Sequence, residues 1–218
     1  DADWNAQFVA GLGLALAHWA VPLLGGDTVA MPKGAPRALG LTALGRAAGP
    51  VPARSGGRVG DTLYLVGTLG DAGLGLEIAQ GRRTGPASLV AAYRRPQPLV
   101  AQGCALAPHV HAMMDVSDGL LIDAQRLAEA SGTGVEINLD ALPLSASARL
   151  FGADRDARLR AATAGDDYAL LFAAKAPLPA DMPPAVRVGT LTAEPGLRLV
   201  DADGDVALPA RLGWLHTG

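Results

Sequence analysis

The chain has 218 residues, half of them apolar and 18% charged, with a formal net charge of −3. This length allows one large or two small domains, and the acidic balance without a basic run argues against nucleic-acid binding. One cysteine, Cys104, excludes a disulfide framework and a zinc site built from several cysteines. An acidic chain of this kind can still bind phosphate groups when it recruits a divalent metal.

The predicted elements mix helices and strands, which indicates an α+β (mixed α/β) class. Apolar periodicity predicts helices at 5–19, 71–80, 86–94, 98–106, 118–131 and 154–163, strands at 20–25, 62–67, 111–116, 134–139 and 168–173, an extended segment near 37–47 and short strands within 185–209.

Residues 48–60 are rich in glycine, proline and arginine, which is typical of a linker or a long functional loop. We therefore predict two domains, 1–50 and 51–218. The apolar stretch 8–24 contains His18 and Pro22 and is shorter than the roughly 20 apolar residues of a membrane span. We predict no membrane segment and a cytoplasmic protein.

The most informative motif is Asp115-Val116-Ser117-Asp118-Gly119, between a short apolar strand and an amphipathic helix. Its two carboxylates offer the oxygen ligands that Mg²⁺ takes. The first N–H groups of the helix can face an anion. The motif predicts a site for magnesium and phosphate, although the two aspartates could also serve only as helix-capping acids.

Similar acidic corners occur at three other strand edges. They are Gly25-Gly26-Asp27-Thr28, Gly67-Thr68-Leu69-Gly70-Asp71 and Ala164-Gly165-Asp166-Asp167-Tyr168. Glycine allows a ligand to approach the backbone closely, and acids brought together repel unless a cation lies between them. The pattern predicts a nucleotide–metal site assembled from several segments. No P-loop or protein-kinase signature is present, so any ATP would be bound on another scaffold.

With these motifs in this order, the chain resembles thiamine-monophosphate kinase, of the aminoimidazole ribonucleotide synthetase superfamily. The resemblance implies transfer of the γ-phosphoryl group of ATP to thiamine monophosphate, giving thiamine diphosphate, with Mg²⁺ as the metal. It implies no catalytic side chain beyond positioning and metal catalysis. It also implies a homodimer for the full-length protein, and leaves the oligomeric state of this chain open.

The resemblance also implies roles for individual residues. Gly26, Asp27, Arg54 and Ser117 match nucleotide contacts. The matched metal ligands are Asp27, Asp115 and Asp118, and the substrate contacts are Asp166 and Trp214.

Two departures from the family pattern stand out. Asp166 takes the place of a longer glutamate, so its reach to the substrate is shorter. Family members also carry a long upstream segment with further metal-binding aspartates. We therefore expect the chain to be a fragment in which 1–50 is the remnant of an N-terminal ATP- and metal-binding domain and 51–218 is a complete C-terminal domain.

Two alternatives to the kinase stay open. One is a superfamily relative acting on another small substrate. The other is a non-catalytic domain that binds a nucleotide or thiamine phosphate without turnover. Two other acids are predicted to have structural roles. Asp71 starts a helix, although the glycine-rich turn beside it leaves ligand contact open, and Asp123, five residues after Asp118, is predicted to be a solvated helix residue. Asp167 could exchange roles with Asp166.

Overall fold

The computed structural model describes residues 2–215, which divide into two compact units, the first ending at Gly45 and the second beginning at Arg46. The first unit contains one helix, α1, Ala2–His18. Trp4 and Phe8 stack on α1 with ring centroids 5.3 Å apart, and the Arg37 guanidinium lies 4.1 Å from the centroid of the Trp4 ring. No residue from 2 to 45 is buried.

The predicted helix at 5–19 is confirmed and begins three residues earlier, but the predicted strand at 20–25 is wrong. The segment near 37–47, predicted to be extended, lies outside any helix or strand. A strand needs backbone hydrogen bonds to a neighbouring strand. Residues 19–51 are all exposed, and within the described chain none of them pairs in a ladder. Apolar character alone therefore did not produce strands in this segment.

Seven strands of the second unit form one mixed sheet. They are β1 Thr62–Val66, β2 Ala112–Val116, β3 Gly134–Asn138, β4 Ala169–Ala174, β5 Val186–Thr192, β6 Leu197–Asp201 and β7 Gly204–Val206. Their order across the sheet is β2-β4-β1-β5-β3-β6-β7. Neighbouring strands run antiparallel except β3 and β6, which are parallel. The strands predicted in this part of the chain are confirmed.

Within residues 46–215, six α-helices accompany the sheet. They are α2 Asp71–Ala79, α3 Ala87–Arg94, α4 Val100–Leu106, α5 Leu120–Ala130, α6 Ala146–Arg149 and α7 Arg155–Thr163. All but the four-residue α6 were predicted. Among the described residues, no helix is long and apolar enough to cross a bilayer.

Strand β4, the second from one edge of the sheet, is covered on both faces. Leu171 and Ala173 belong to the main core, together with residues of α5, whereas Phe172 and Ala174 pack in a second cluster with Leu106. Burial on both faces explains why β4 has a continuous apolar sequence rather than an alternating one. The mixed α/β class predicted from the sequence is confirmed.

Strand pairing brings three loops to one edge of the sheet. Val66 at the end of β1 pairs with Leu170, and Val116 at the end of β2 pairs with Ala169. Because β4 runs antiparallel to both neighbours, the loops after β1 and β2 emerge beside the segment that enters β4. Three of the acidic corners predicted from the sequence therefore lie at this edge.

Candidate functional site

The loop between β2 and α5 is held through its backbone. The N–H groups of Asp166 and Tyr168 donate to the carbonyls of Ser117 and Val116, at 2.8 and 2.9 Å. The N–H of Trp214 donates to the Asp118 carbonyl at 2.8 Å. The segment that precedes β4 and the C-terminal segment therefore both form backbone hydrogen bonds with the loop that carries Ser117 and Asp118.

Two glycines are required for these close approaches. Gly119, at the N-cap of α5, has a φ of +126°, and a Cβ there would lie 3.1 Å from the Thr163 carbonyl. A Cβ on Gly165 would lie 2.8 Å from the Ser117 carbonyl oxygen. A side chain at either position would collide with this neighbouring backbone and displace the loop from the segment that contacts it.

Asp123 is completely buried, so its prediction as a solvated helix residue is wrong. Its Oδ2 accepts the N–H groups of both Ser117 and Asp118, at 3.1 and 3.0 Å. The anion found at these N–H groups is thus a carboxylate of the chain itself. Burial raises the pKa of Asp123, while the Asp118 N–H and the Arg126 guanidinium oppose that rise.

Arg126 bridges Asp118 and Asp123. Its Nη1 donates to Asp118 Oδ2 at 2.5 Å and to Asp123 Oδ1 at 2.9 Å. The hydrogen bond to Asp118 is the main reason why the pKa of Arg126 is raised further, so the guanidinium stays charged. The Asp118 side chain is only 15% exposed.

The charges of three predicted site residues act on the hydroxyl of Tyr168. Burial is the main cause of its raised pKa, and the charges of Asp166, Asp115 and Asp118 add to it. Tyr168 donates to Asp166 Oδ1 at 3.4 Å. Asp166 and Tyr168 both have positive φ, at 67° and 50°; such strain in non-glycine residues concentrates at functional sites. The structure therefore brings Asp115, Asp118 and Asp166 into one acidic region.

Asp167 points to a different partner, the N-terminus of α2. Its carboxylate accepts the N–H groups of Gly70 and Ala72, at 2.6 and 3.1 Å. Burial is the main cause that raises the pKa of Asp167, to about 7, and the charges of Asp71 and Asp166 add to it. Asp166 and Asp167 thus have separate positions, with Asp166 exposed toward the acidic region.

Asp71 is tied down at the same helix end rather than open to a ligand. Its oxygens accept hydrogen bonds from Thr68 Oγ1 at 2.9 Å and Ser145 Oγ at 2.5 Å. This geometry agrees with its predicted role as a helix-starting acid.

Arg54 and Trp214 are held by backbone hydrogen bonds at opposite ends of α5, Trp214 at the loop that carries Asp118 and Arg54 at Ser131. The Ala53 carbonyl accepts the N–H of Met113 on β2 at 3.1 Å, and the Arg54 carbonyl accepts Ser131 Oγ at 3.0 Å. Both the Arg54 and Trp214 residues are exposed. Gly26 and Asp27 lie in the first unit, where Asp27 Oδ1 accepts the N–H of Thr28 at 2.7 Å.

A cleft of about 450 Å³ adjoins Asp115 and Tyr168. Its other walls are mainly apolar and come from residues 50–52, from α4 and from the strands β2 and β4. The cleft places an apolar surface next to the acidic region, an arrangement that suits a ligand with a ring and a charged part.

The donor chemistry of the acidic region fits a hard cation, since it consists of carboxylate oxygens. Within residues 2–215, however, no three His, Cys, Asp or Glu side chains are gathered closely enough to form a ready metal cluster. Instead the Arg126 guanidinium supplies the positive charge at Asp118.

Sequence reasoning missed Asp123 and Arg126. One signal could have found them: both lie within one turn of each other on α5, directly after the acidic motif, and could pair at i and i+3. Their link to Asp118 depends on how the loop folds back, which helical spacing alone does not show.

Comparison with known proteins agrees with this fold. Residues 58–202 match the family of the AIR synthase related protein, C-terminal domain. The thiamine-monophosphate kinase of Caulobacter vibrioides is 35% identical over 230 residues, covering 99% of this chain and 64% of the relative. That of Salmonella typhimurium is 34% identical over 178 residues, covering 79% and 54%.

Solved structures give the same relationship. The thiamine-monophosphate kinase from Stenotrophomonas maltophilia K279a has a TM-score of 0.61 and 32% identity, covering 72% of this chain and 54% of that one. AaThiL complexed with AMPPCP and TMP has a TM-score of 0.64 and 28% identity, covering 74% and 53%. The chain thus spans between about half and 64% of the length of these relatives. Its matched domain, its sheet and its sequence identity show that the chain belongs to the AIR synthase-related family and is a homologue of the thiamine-monophosphate kinases.

Proposed function

We propose that the chain belongs to an ATP-dependent kinase that phosphorylates thiamine monophosphate to thiamine diphosphate with Mg²⁺. The observation that carries this proposal is that strand pairing and backbone hydrogen bonds bring the segment of Asp115 and Asp118 against the segment of Asp166. Phosphoryl transfer depends on positioning and on neutralising charge, which carboxylate-held Mg²⁺ supplies. A homologue captured with AMPPCP and TMP supports the same pair of ligands.

In this proposal Asp115 and Asp118 hold metal, as does Asp27, which with Gly26 also meets the nucleotide. Ser117 contacts the nucleotide from the loop before α5. Backbone hydrogen bonds hold this loop in place, so its backbone needs little reorganisation when the charged ligands bind.

The remaining proposed contacts involve exposed residues. Arg54 binds a nucleotide phosphate through two parallel hydrogen bonds, and Asp166 meets the thiamine substrate. Trp214 packs on the cationic thiazolium ring, a cation–π contact of about 0.5–2 kcal/mol. The apolar cleft beside Asp115 offers a place for a heterocyclic ring.

We further propose that residues 1–50 are part of an ATP- and metal-binding domain and that residues 51–218 form the C-terminal domain. The match of residues 58–202 to a C-terminal domain family supports this division. A cytoplasmic location is also proposed, in keeping with a single, unpaired cysteine. A homodimer is proposed for the full-length protein.

A second candidate is a domain that binds a nucleotide or thiamine phosphate without turnover. The observation that favours it is the engagement of Asp118 by Arg126, together with the lack of a ready three-ligand metal cluster among residues 2–215. The two candidates differ in turnover and share ligand binding.

The deciding experiment measures the thiamine diphosphate that the full-length protein forms from ATP, thiamine monophosphate and Mg²⁺, because the activity of this chain alone is in question. Asp115→Asn and Asp118→Asn should each lower the rate at least about 100-fold, because each removes a charge that holds metal. Asp205→Asn, an exposed acid on β7, is the matched control and should leave the rate unchanged.

Turnover that survives Asp118→Asn would contradict the metal role of Asp118. Binding of AMPPCP and thiamine monophosphate without product would favour the second candidate. Failure to bind either ligand would contradict both.

A further inference from the structure

The positive charge nearest to Asp118 belongs to the protein. Arg126 Nη1 lies 2.5 Å from Asp118 Oδ2, and the Asp118 side chain is largely withdrawn from solvent. A divalent cation that binds Asp118 would meet the repulsion of this guanidinium.

Arg126 has a second acid to hold it. The same Nη1 donates to Asp123 Oδ1 at 2.9 Å, and the Asp123 side chain is fully buried. A buried carboxylate without a positively charged partner is strongly destabilising, because water does not reach it. Asp123 therefore offers Arg126 a place to remain when its contact with Asp118 is lost.

The two oxygens of Asp123 have separate tasks. Oδ2 accepts the N–H groups of Ser117 and Asp118, whereas Oδ1 faces Arg126. An asparagine at this position can keep its carbonyl oxygen on the two N–H groups and turn its NH₂ group toward Arg126. The loop anchor and the arginine anchor can thus be separated by mutation.

We propose that Arg126 competes with a divalent cation for the Asp118 carboxylate. Asp123 would keep its ion pair with Arg126 when Asp118 binds the cation instead. The competition rests on the metal role given to Asp118 under the proposed function. Arg126 neutralises Asp118 while the site is without a cation. It then gives up that carboxylate and keeps its bond to Asp123.

The mechanism predicts opposite effects for the two partners. Arg126→Gln removes the competing charge, so Mn²⁺ as the probe should bind about tenfold more tightly. Asp123→Asn removes the reserve partner and leaves Arg126 bound to Asp118 alone, so Mn²⁺ should bind about threefold more weakly. A purely structural role for the pair would weaken Mn²⁺ binding in both variants.

The test is calorimetric titration of the full chain with Mn²⁺ at constant pH and ionic strength. Arg126→Lys keeps the positive charge and should restore Mn²⁺ affinity to within about twofold of the wild type. The double variant Asp123→Asn with Arg126→Gln should bind as tightly as Arg126→Gln alone, because the competitor is then absent. Arg198→Gln is the matched control: Arg198 also bridges two acids, Glu136 and Asp205, but on the strands β3, β6 and β7.

The outcomes separate this inference from the proposed function. If the wild type binds Mn²⁺ and Arg126→Gln binds it no more tightly, Arg126 does not compete with the cation, and the metal role of Asp118 is unaffected. If Asp118→Asn binds Mn²⁺ as well as the wild type does, the metal role fails and the competition fails with it. Thermal unfolding of each variant shows whether Asp123→Asn retains the loop anchor. Should it unfold, the comparison of Arg126→Gln with Arg126→Lys decides alone.

Discussion

Asp167 is placed where opposing effects act on one carboxyl group. The N–H groups of Gly70 and Ala72 and the N-terminus of α2 favour the charged form. Burial and the nearby charges of Asp71 and Asp166 oppose it, and they prevail, since the pKa rises to about 7. A proton on Asp167 thus lowers the charge repulsion at this end of the sheet near neutral pH.

We predict a pH-dependent stability that disappears in Asp167→Asn. The pKa of Asp167 is about 7 in the folded chain, against 3.8 for an ordinary aspartate such as the unfolded chain would have. Folded protein therefore binds more protons between these values, and the free energy of unfolding falls as pH rises through this window. From pH 5 to pH 8 the wild type should lose about 2 kcal/mol relative to Asp167→Asn.

Chemical denaturation at pH 5, 6, 7 and 8 measures this difference. Asp156→Asn, an exposed acid on α7, is the control and should track the wild type across the series. A constant gap between the wild type and Asp167→Asn at every pH would show that Asp167 ionises equally easily in both states.

The sequence predicted the carboxylates of the site better than their partners. Strand ends with glycine and acids are visible in the sequence, and the backbone contacts of the folded chain bring the segments of Asp115, Asp118 and Asp166 together. The prediction for Asp123 was wrong because it considered only which face of the helix the residue occupies. In the folded chain the preceding loop turns back over the first turn of α5, so that Asp123 meets the N–H groups of Ser117 and Asp118.

At the level of elements, most strands and helices of 62–206 could be predicted because they have a buried face with regular spacing. The continuous apolar run of β4 and the amphipathic α5 are examples. Helix α6 was missed since four residues show too little periodicity. The strand predicted at 20–25 failed for a different reason: its formation depends on a neighbouring strand, and its own sequence does not reveal whether one is available.

Two helical glycines give a test of packing between elements. A Cβ on Gly75 of α2 would lie 2.0 Å from the carbonyl oxygen of Leu89 on α3, and this oxygen belongs to a rigid helix backbone. Gly75→Ala should therefore lower the free energy of unfolding by about 2–3 kcal/mol through overpacking. Thermal or denaturant unfolding measures the loss.

Gly103→Ala is the matched control in α4. Its Cβ would meet Leu170 Cδ1 at 3.5 Å, an ordinary contact. Alanine is the better helix former, so this variant should gain about 0.5–1 kcal/mol. Equal effects of the two substitutions would contradict the close α2–α3 contact.

On the scale of the whole molecule, the core lies entirely in the second unit. The buried hydrophobic residues of the described chain begin at Leu63, and no residue from 2 to 45 is buried. The first unit instead exposes large apolar side chains, including Leu14, Leu24 and Leu41. The second unit therefore supplies the buried core that stabilises the fold. Two of the proposed nucleotide contacts, Gly26 and Asp27, lie in the first unit, in which no residue from 2 to 45 is buried.

This difference predicts that removal of residues 1–45 separates stability from ligand binding. The shortened chain, 46–218, should unfold with a free energy within about 1 kcal/mol of the full chain, a shift of roughly 2–4 °C in Tm. It should also bind AMPPCP more weakly, because Gly26 and Asp27 are absent. Calorimetric unfolding and AMPPCP titration measure the two effects, and Asp27→Asn in the full chain is the control that removes only the carboxylate charge. A large fall in Tm would mean that residues 1–45 support the core, whereas unchanged AMPPCP binding would remove Asp27 from the proposed site.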